Sequence, residues 1–201
     1  LGRCAPDNSR ARDYIPYPFF LGYAATYIQE KIGNNNVFFR DSIALSESYK
    51  SYFSYLENIK NKIEYILIES ATPSWEHDYS LIKKIKSKYN HIKIIVAGPI
   101  AFKPMDFNNN IIHAAIKGEY EKNTLKVLNG ASELIEHDLL TLEEMNKAPI
   151  PYYDKSIYDK YVDGNPVPMG EYNPQAHIWS SRGCPFKCTF CCINAPFEKN
   201  T

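Results

Sequence analysis

An α/β fold built on a parallel sheet is what the sequence predicts, and three observations predict it. Two runs, "EYILIESA" (64–71) and "IKIIVAGP" (92–99), are almost continuously apolar, as strands covered on both faces must be. The stretches around them carry apolar residues three or four apart, the period of a helix with one buried face. Strand-like and helix-like segments alternate, a pattern that yields a parallel sheet with helices on both faces.

Taken in order, residues 1–17 are polar and broken by Pro6 and Pro16, and read as loop. From Pro18 onward Leu21, Ala24, Ala25, Ile28 and Ile32 fall at helical spacing, and Gly33 sits where that helix would stop. "NVFFRDSI" (36–43) reads as a short strand. A second helix follows, with Ser46 as its cap and Tyr52, Leu56, Ile59 and Ile63 on its apolar face. The strand at 64–71 leads to a third helix marked by Leu81, Ile82, Ile85 and Tyr89, then to the strand at 92–99. "IIHAAIKGE" (111–119) is one more strand, opening into a helix over 119–129. Beyond Asn129 periodicity fades, and prolines and tyrosines crowd a stretch that reads as an ordered connector. "AHIWSS" (176–181) is a fresh strand. The expected organisation is a sheet domain over 1–135, a connector over 136–175, and a second domain starting at 176–201.

Composition bounds the function. Hydrophobic residues at 44 % suffice for a core, and 23 basic against 23 acidic residues leave no footprint for nucleic acid. No apolar run is long enough to span a bilayer, and no secretory leader is visible. The chain opens on Leu1 and stops at Thr201, so it reads as the N-terminal part of a longer protein that has lost its first strand. Its cysteines, one alone at Cys4 and four crowded together, do not resemble the spread pairs of a secreted scaffold, so a cytoplasmic protein is expected.

The crowded four lie in "SSRGCPFKCTFCC" (180–192), as Cys184, Cys188, Cys191 and Cys192. A disulfide framework fits poorly, because the loop is tight and the spacing leaves an odd ligand. Zinc needs a fourth ligand, and adjacent Cys191 and Cys192 rarely point at one tetrahedral centre. Iron–sulfur fits better. Three thiolates can hold three corners of a cube, leaving one iron open to a small molecule.

"GCPFKCTFC" resembles the signature of radical S-adenosylmethionine enzymes, and "IWSSRG" before it resembles the first barrel strand of that family. The resemblance implies that Cys184, Cys188 and Cys191 hold a [4Fe–4S] cluster. S-adenosylmethionine would chelate the open iron, with Phe190 near its adenine, and its reductive cleavage would give a 5′-deoxyadenosyl radical. It further implies a small-molecule substrate and an electron donor such as flavodoxin or ferredoxin. Cys192 and Cys4 are expected to be bystanders.

Upstream, "PFFLGYAATYIQEKIG", "ESATPSWEHDYSLIKKIKSKY", "IKIIVAGPIA" and "AAIKGEYEKNTLKVL" resemble successive segments of a cobalamin-binding-type domain, which is Rossmann-like. In an open parallel sheet, ligands bind at the carboxyl ends of the strands. Asp41, Ser70, Thr72, Gly98, Gly118 and Glu119 are expected there, and the resemblance makes them candidate cobalamin contacts. The same residue types also serve plain turns and caps, and both readings stand. One departure is plain: the family's Asp-x-His-x-x-Gly turn corresponds to Asp41–Leu45, which has neither histidine nor glycine. Two further functions remain open beside a radical enzyme that methylates or closes rings: a non-catalytic cobalamin sensor, and a methylthiotransferase.

Overall fold

The computed structural model describes residues 15–161 together with Ile178, Trp179, Arg182 and Thr189. These residues form two compact units, one gathering 15–62 with 149–161 and Ile178, the other 63–148 with Trp179, Arg182 and Thr189.

In the first unit, helix α1 (Phe19–Ile32) buries Leu21, Ala24, Ala25 and Ile28, the stripe its spacing predicts. Gly33 ends it at φ 91°, and its N–H bonds back to Gln29. The segment expected as a strand, 36–43, forms none. Asn34–Asn36 is a single 3₁₀ turn, residues 37–41 are irregular, and 42–46 make turns. A run of apolar residues this short does not become a strand without a ladder to join. Helix α2 (Tyr49–Ile59) is capped by Ser48, whose side chain accepts the Ser51 N–H, and not by Ser46. Ser46 stands at φ 51° inside the preceding turn, and Ile63 lies beyond the helix. Residues of the expected connector complete this unit. Tyr17 stacks on Tyr153 with ring centres 4.8 Å apart and meets Tyr161 edge-on. Tyr152 donates its N–H to the Gly22 carbonyl, and a Cβ on Gly22 would stand 1.8 Å from the Tyr17 hydroxyl oxygen. A side chain at this mid-helix position would have to displace the Tyr17 ring.

The second unit is a four-stranded sheet in the order β1 (Tyr65–Glu69), β2 (Lys93–Ala97), β3 (Ala114–Ile116), β4 (Glu133–Ile135), with every neighbour parallel. An α/β unit compatible with a Rossmann-like fold is thus present; the expected barrel lies beyond the described residues. Ile66, Leu67 and Ile68 and the whole of Ile94–Ala97 are buried, which accounts for runs with no polar alternation. Helix α3 (Trp75–Lys88) crosses from β1 to β2 with Leu81, Ile82 and Ile85 buried. Its first turn holds Glu76 and Asp78 and its last Lys86 and Lys88, matching the helix dipole at both ends. Helix α4 (Glu121–Leu128) crosses from β3 to β4. Strand β4 and helix α5 (Leu142–Lys147) lie where the sequence shows no period. They are too short for one, but Thr141 and Glu144 make a full capping box at α5. Among the described residues no helix is long and apolar enough to cross a membrane.

Candidate functional site

Parallel strands aim their last residues at one edge, and β1, β2 and β3 bring Glu69-Ser70, Gly98 and Gly118-Glu119 to it. Ser70 is buried and donates from Oγ to Asp78 Oδ2 at 2.6 Å, tying the end of β1 to the first turn of α3. Thr72, two residues on, is exposed. Gly98 stands at φ 96°, where a Cβ would come within 2.5 Å of the Ser70 carbonyl oxygen. The close passage of two βα turns therefore demands glycine at this position.

The next turn is more heavily wired. Gly118 has φ 71°, and a Cβ there would meet the His137 ring at 3.1 Å. Asn123, wholly buried on α4, donates from Nδ2 to the carbonyls of Lys117 and Glu119 and so closes the turn. Tyr120 sends its hydroxyl to Glu69 Oε1 at 2.9 Å. Burial first, and the neighbouring Glu69 carboxylate second, hold the Tyr120 phenol far above its ordinary range, so it stays a donor.

Glu119 and Glu121 are each about 2 % exposed. Glu119 Oε2 accepts the Leu140 N–H at 2.7 Å, and its other oxygen meets an Arg182 nitrogen at 3.0 Å. Glu121 Oε1 accepts from Arg182 Nη2 at 2.7 Å. Burial raises the Glu121 carboxyl above the usual range although Arg182 opposes it. The Arg182 guanidinium carbon lies 4.5 Å from the Trp179 ring centre, so an aromatic face shields the cation.

Asp41 belongs to the other unit and does not follow a strand. Its carboxylate accepts the N–H groups of Ile43 and Ala44, the work of a turn-forming aspartate. Nearby, Ser42 donates to Glu47 at 2.8 Å, and Arg40 pairs with the same carboxylate while lying 3.9 Å from the Tyr55 ring centre. Cys184, Cys188, Cys191, Cys192, Cys4 and Phe190 fall outside the described residues, as does most of the strand expected at 176–181. Among the described residues no group of histidine, cysteine or carboxylate side chains converges as a metal site. The three thiols expected as metal ligands are read from the sequence alone, as Cys184-x₃-Cys188-x₂-Cys191. Of the residues expected to meet cobalamin, Asp41, Ser70 and Glu119 have protein partners, and Gly98 packs on Ser70.

The sequence reading missed Glu69, Asp78, Tyr120, Glu121 and Arg182. A signal was present for Glu121, since "GEYE" sets two carboxylates two apart just where a helix begins. Nothing local marks Arg182 as their partner.

No family model matches the chain, and no solved structure matches it. It is similar to an uncharacterized methyltransferase of Pyrococcus horikoshii. Identity is 27 % over 204 aligned residues, covering 90 % of this chain and 42 % of that protein. The chain thus spans less than half the length of this curated relative.

Proposed function

We propose that the chain is the N-terminal part of a radical S-adenosylmethionine enzyme that transfers a methyl group or closes a ring on a small metabolite in the cytoplasm. The carrying observation is Cys184-x₃-Cys188-x₂-Cys191 with Phe190 before the third thiol. Similarity to a protein named a methyltransferase favours methyl transfer over ring closure, and over a sensor that would need no thiol triad. A methylthiotransferase is the weaker alternative, because its further cluster cysteines have no counterpart upstream except Cys4.

When bound, a reduced [4Fe–4S] cluster supplies one electron that splits S-adenosylmethionine into methionine and a 5′-deoxyadenosyl radical. In this reading Cys184, Cys188 and Cys191 hold three irons as thiolates, and Phe190 packs near the adenine. Flavodoxin or ferredoxin is the proposed electron source. Cobalamin is proposed as the second cofactor on the resemblance of the upstream segments alone. Of the six residues expected to meet it only Thr72 is exposed, and Ser70, Gly98 and Glu119 are engaged within the protein. The Asp41–Leu45 turn holds no histidine and follows no strand.

Anaerobic reconstitution with iron and sulfide tests the reading. The expected product holds iron and acid-labile sulfide in equal amounts, and S-adenosylmethionine shifts the paramagnetic resonance of its reduced form. Alanine at Cys184, Cys188 or Cys191 removes the iron, whereas Cys192→Ala keeps it. Zinc without sulfide in the native protein, or equal iron loss at Cys192, overturns the assignment.

A further inference from the structure

Arg182 stands two residues before Cys184 in the chain, yet its side chain is only 8 % exposed and lies between Glu119 and Glu121. Those carboxylates belong to the turn after β3, so two segments 61 residues apart in sequence meet here. Stability does not explain the arrangement well. Removing a guanidinium and two carboxylates from water costs about as much as their attraction returns, and apolar side chains would fill the space as favourably. Direction is what the charges add. A planar guanidinium that donates to Glu121 and lies in ion-pair range of Glu119 is held in few orientations, and lysine would not reproduce its shape.

The acidic side is itself held rigid. Glu119 is fixed by the Leu140 N–H, and Glu121 is the first residue of α4, where the helix dipole favours an anion. Asn123 braces the backbone between them. The cation enters a prepared socket, and Trp179 covers one of its faces. From Arg182 two residues of chain reach at most about 7 Å, so whatever fixes Arg182 confines the start of the cysteine loop.

We propose that Glu119 and Glu121 form an anionic socket whose role is to dock Arg182 and thereby set where the cysteine loop begins relative to the carboxyl edge of the sheet. Arg182 is then a positioning residue. The consequence for metal rests on the cysteine assignment above, but the docking does not.

Two readouts on the full chain separate these. The first uses metal-free protein and trypsin, which cuts after Arg182 only when that side chain leaves its socket. In the native protein the Arg182–Gly183 bond resists cleavage, while Glu121→Gln and the Glu119→Gln, Glu121→Gln pair speed it about tenfold or more, the scale of a lost charge-assisted hydrogen bond. Cleavage within α3 at Lys83 and Lys84 stays slow in the same samples, which shows that the variants remain folded. The second uses reconstituted protein and an iron chelator. Arg182→Gln and Arg182→Lys both release iron about tenfold faster than native protein and alter the resonance of the reduced form, since charge alone does not replace the planar shape. Rapid native cleavage at Arg182 overturns the docking. Slow cleavage with unchanged iron release and spectrum in the Arg182 variants overturns the positioning role and leaves the cluster intact. A native protein that takes up no iron and sulfide removes the enzyme reading, and the trypsin result still decides the socket.

Discussion

Arg40 meets a half-buried glutamate and Arg182 a buried one, yet one pair closes seven residues of chain and the other spans 61. Arg40 is 27 % exposed and shares Glu47 with Ser42 and Ser51, all within one turn and the start of α2. Burial alone would raise the Glu47 carboxyl, but Arg40, Ser42 and Ser51 together hold it below the usual range. Glu121 behaves the opposite way: burial outweighs Arg182 and lifts it. A short-range pair with hydroxyl helpers stabilises its anion, whereas in the deeper pair burial outweighs the cation.

Removing each arginine in turn separates the two pairs. Arg182→Ala leaves two buried carboxylates without their cation, and a loss of about 3–5 kcal/mol is expected in urea unfolding. A loss under about 1 kcal/mol would place Arg182 with ordinary surface pairs. Gly98→Ala tests the same edge of the sheet without any charge. A Cβ forced toward the Ser70 carbonyl at a backbone angle reserved for glycine should cost about 1–3 kcal/mol. If it exceeds the Arg182 effect, turn packing and not the ion pair organises that edge. Arg40→Ala is expected to cost below about 1 kcal/mol, as partly exposed pairs do.

pH sharpens the contrast, because the two glutamates should respond with opposite sign. Glu47 has a lowered folded value, so its contribution is present above the ordinary carboxylate range and fades as pH falls through that lowered value. Glu121 has a raised one, so the folded state keeps its proton longer and stability drops as pH climbs from the ordinary value to the raised one. Against Glu47→Gln the native protein should therefore gain advantage with rising pH. Against Glu121→Gln it should lose advantage. Urea midpoints across the carboxylate range decide the matter, and parallel slopes for the two variants would refute it.

By itself the sequence determined the elements whose signals are local. Leu21 to Ile28 repeat at the helical period and fold as α1, Gly33 stops it, and the runs around Leu67 and Ile95 become the sheet's buried strands. The thiol triad is equally local, since its spacing is written in eight consecutive residues. Tertiary structure decided the rest. Residues 37–41 look like a strand yet join no ladder, while the Glu133–Ile135 strand has too few residues for a period and exists because β3 offers it hydrogen bonds. Gly98 needs its glycine because a neighbouring turn passes within reach, and Arg182 is meaningful because a turn 61 residues upstream supplies two carboxylates. Periodicity and spacing record what a residue does with its near neighbours along the chain. Which distant backbone or charge will meet it is settled only when the sheet brings its carboxyl ends together.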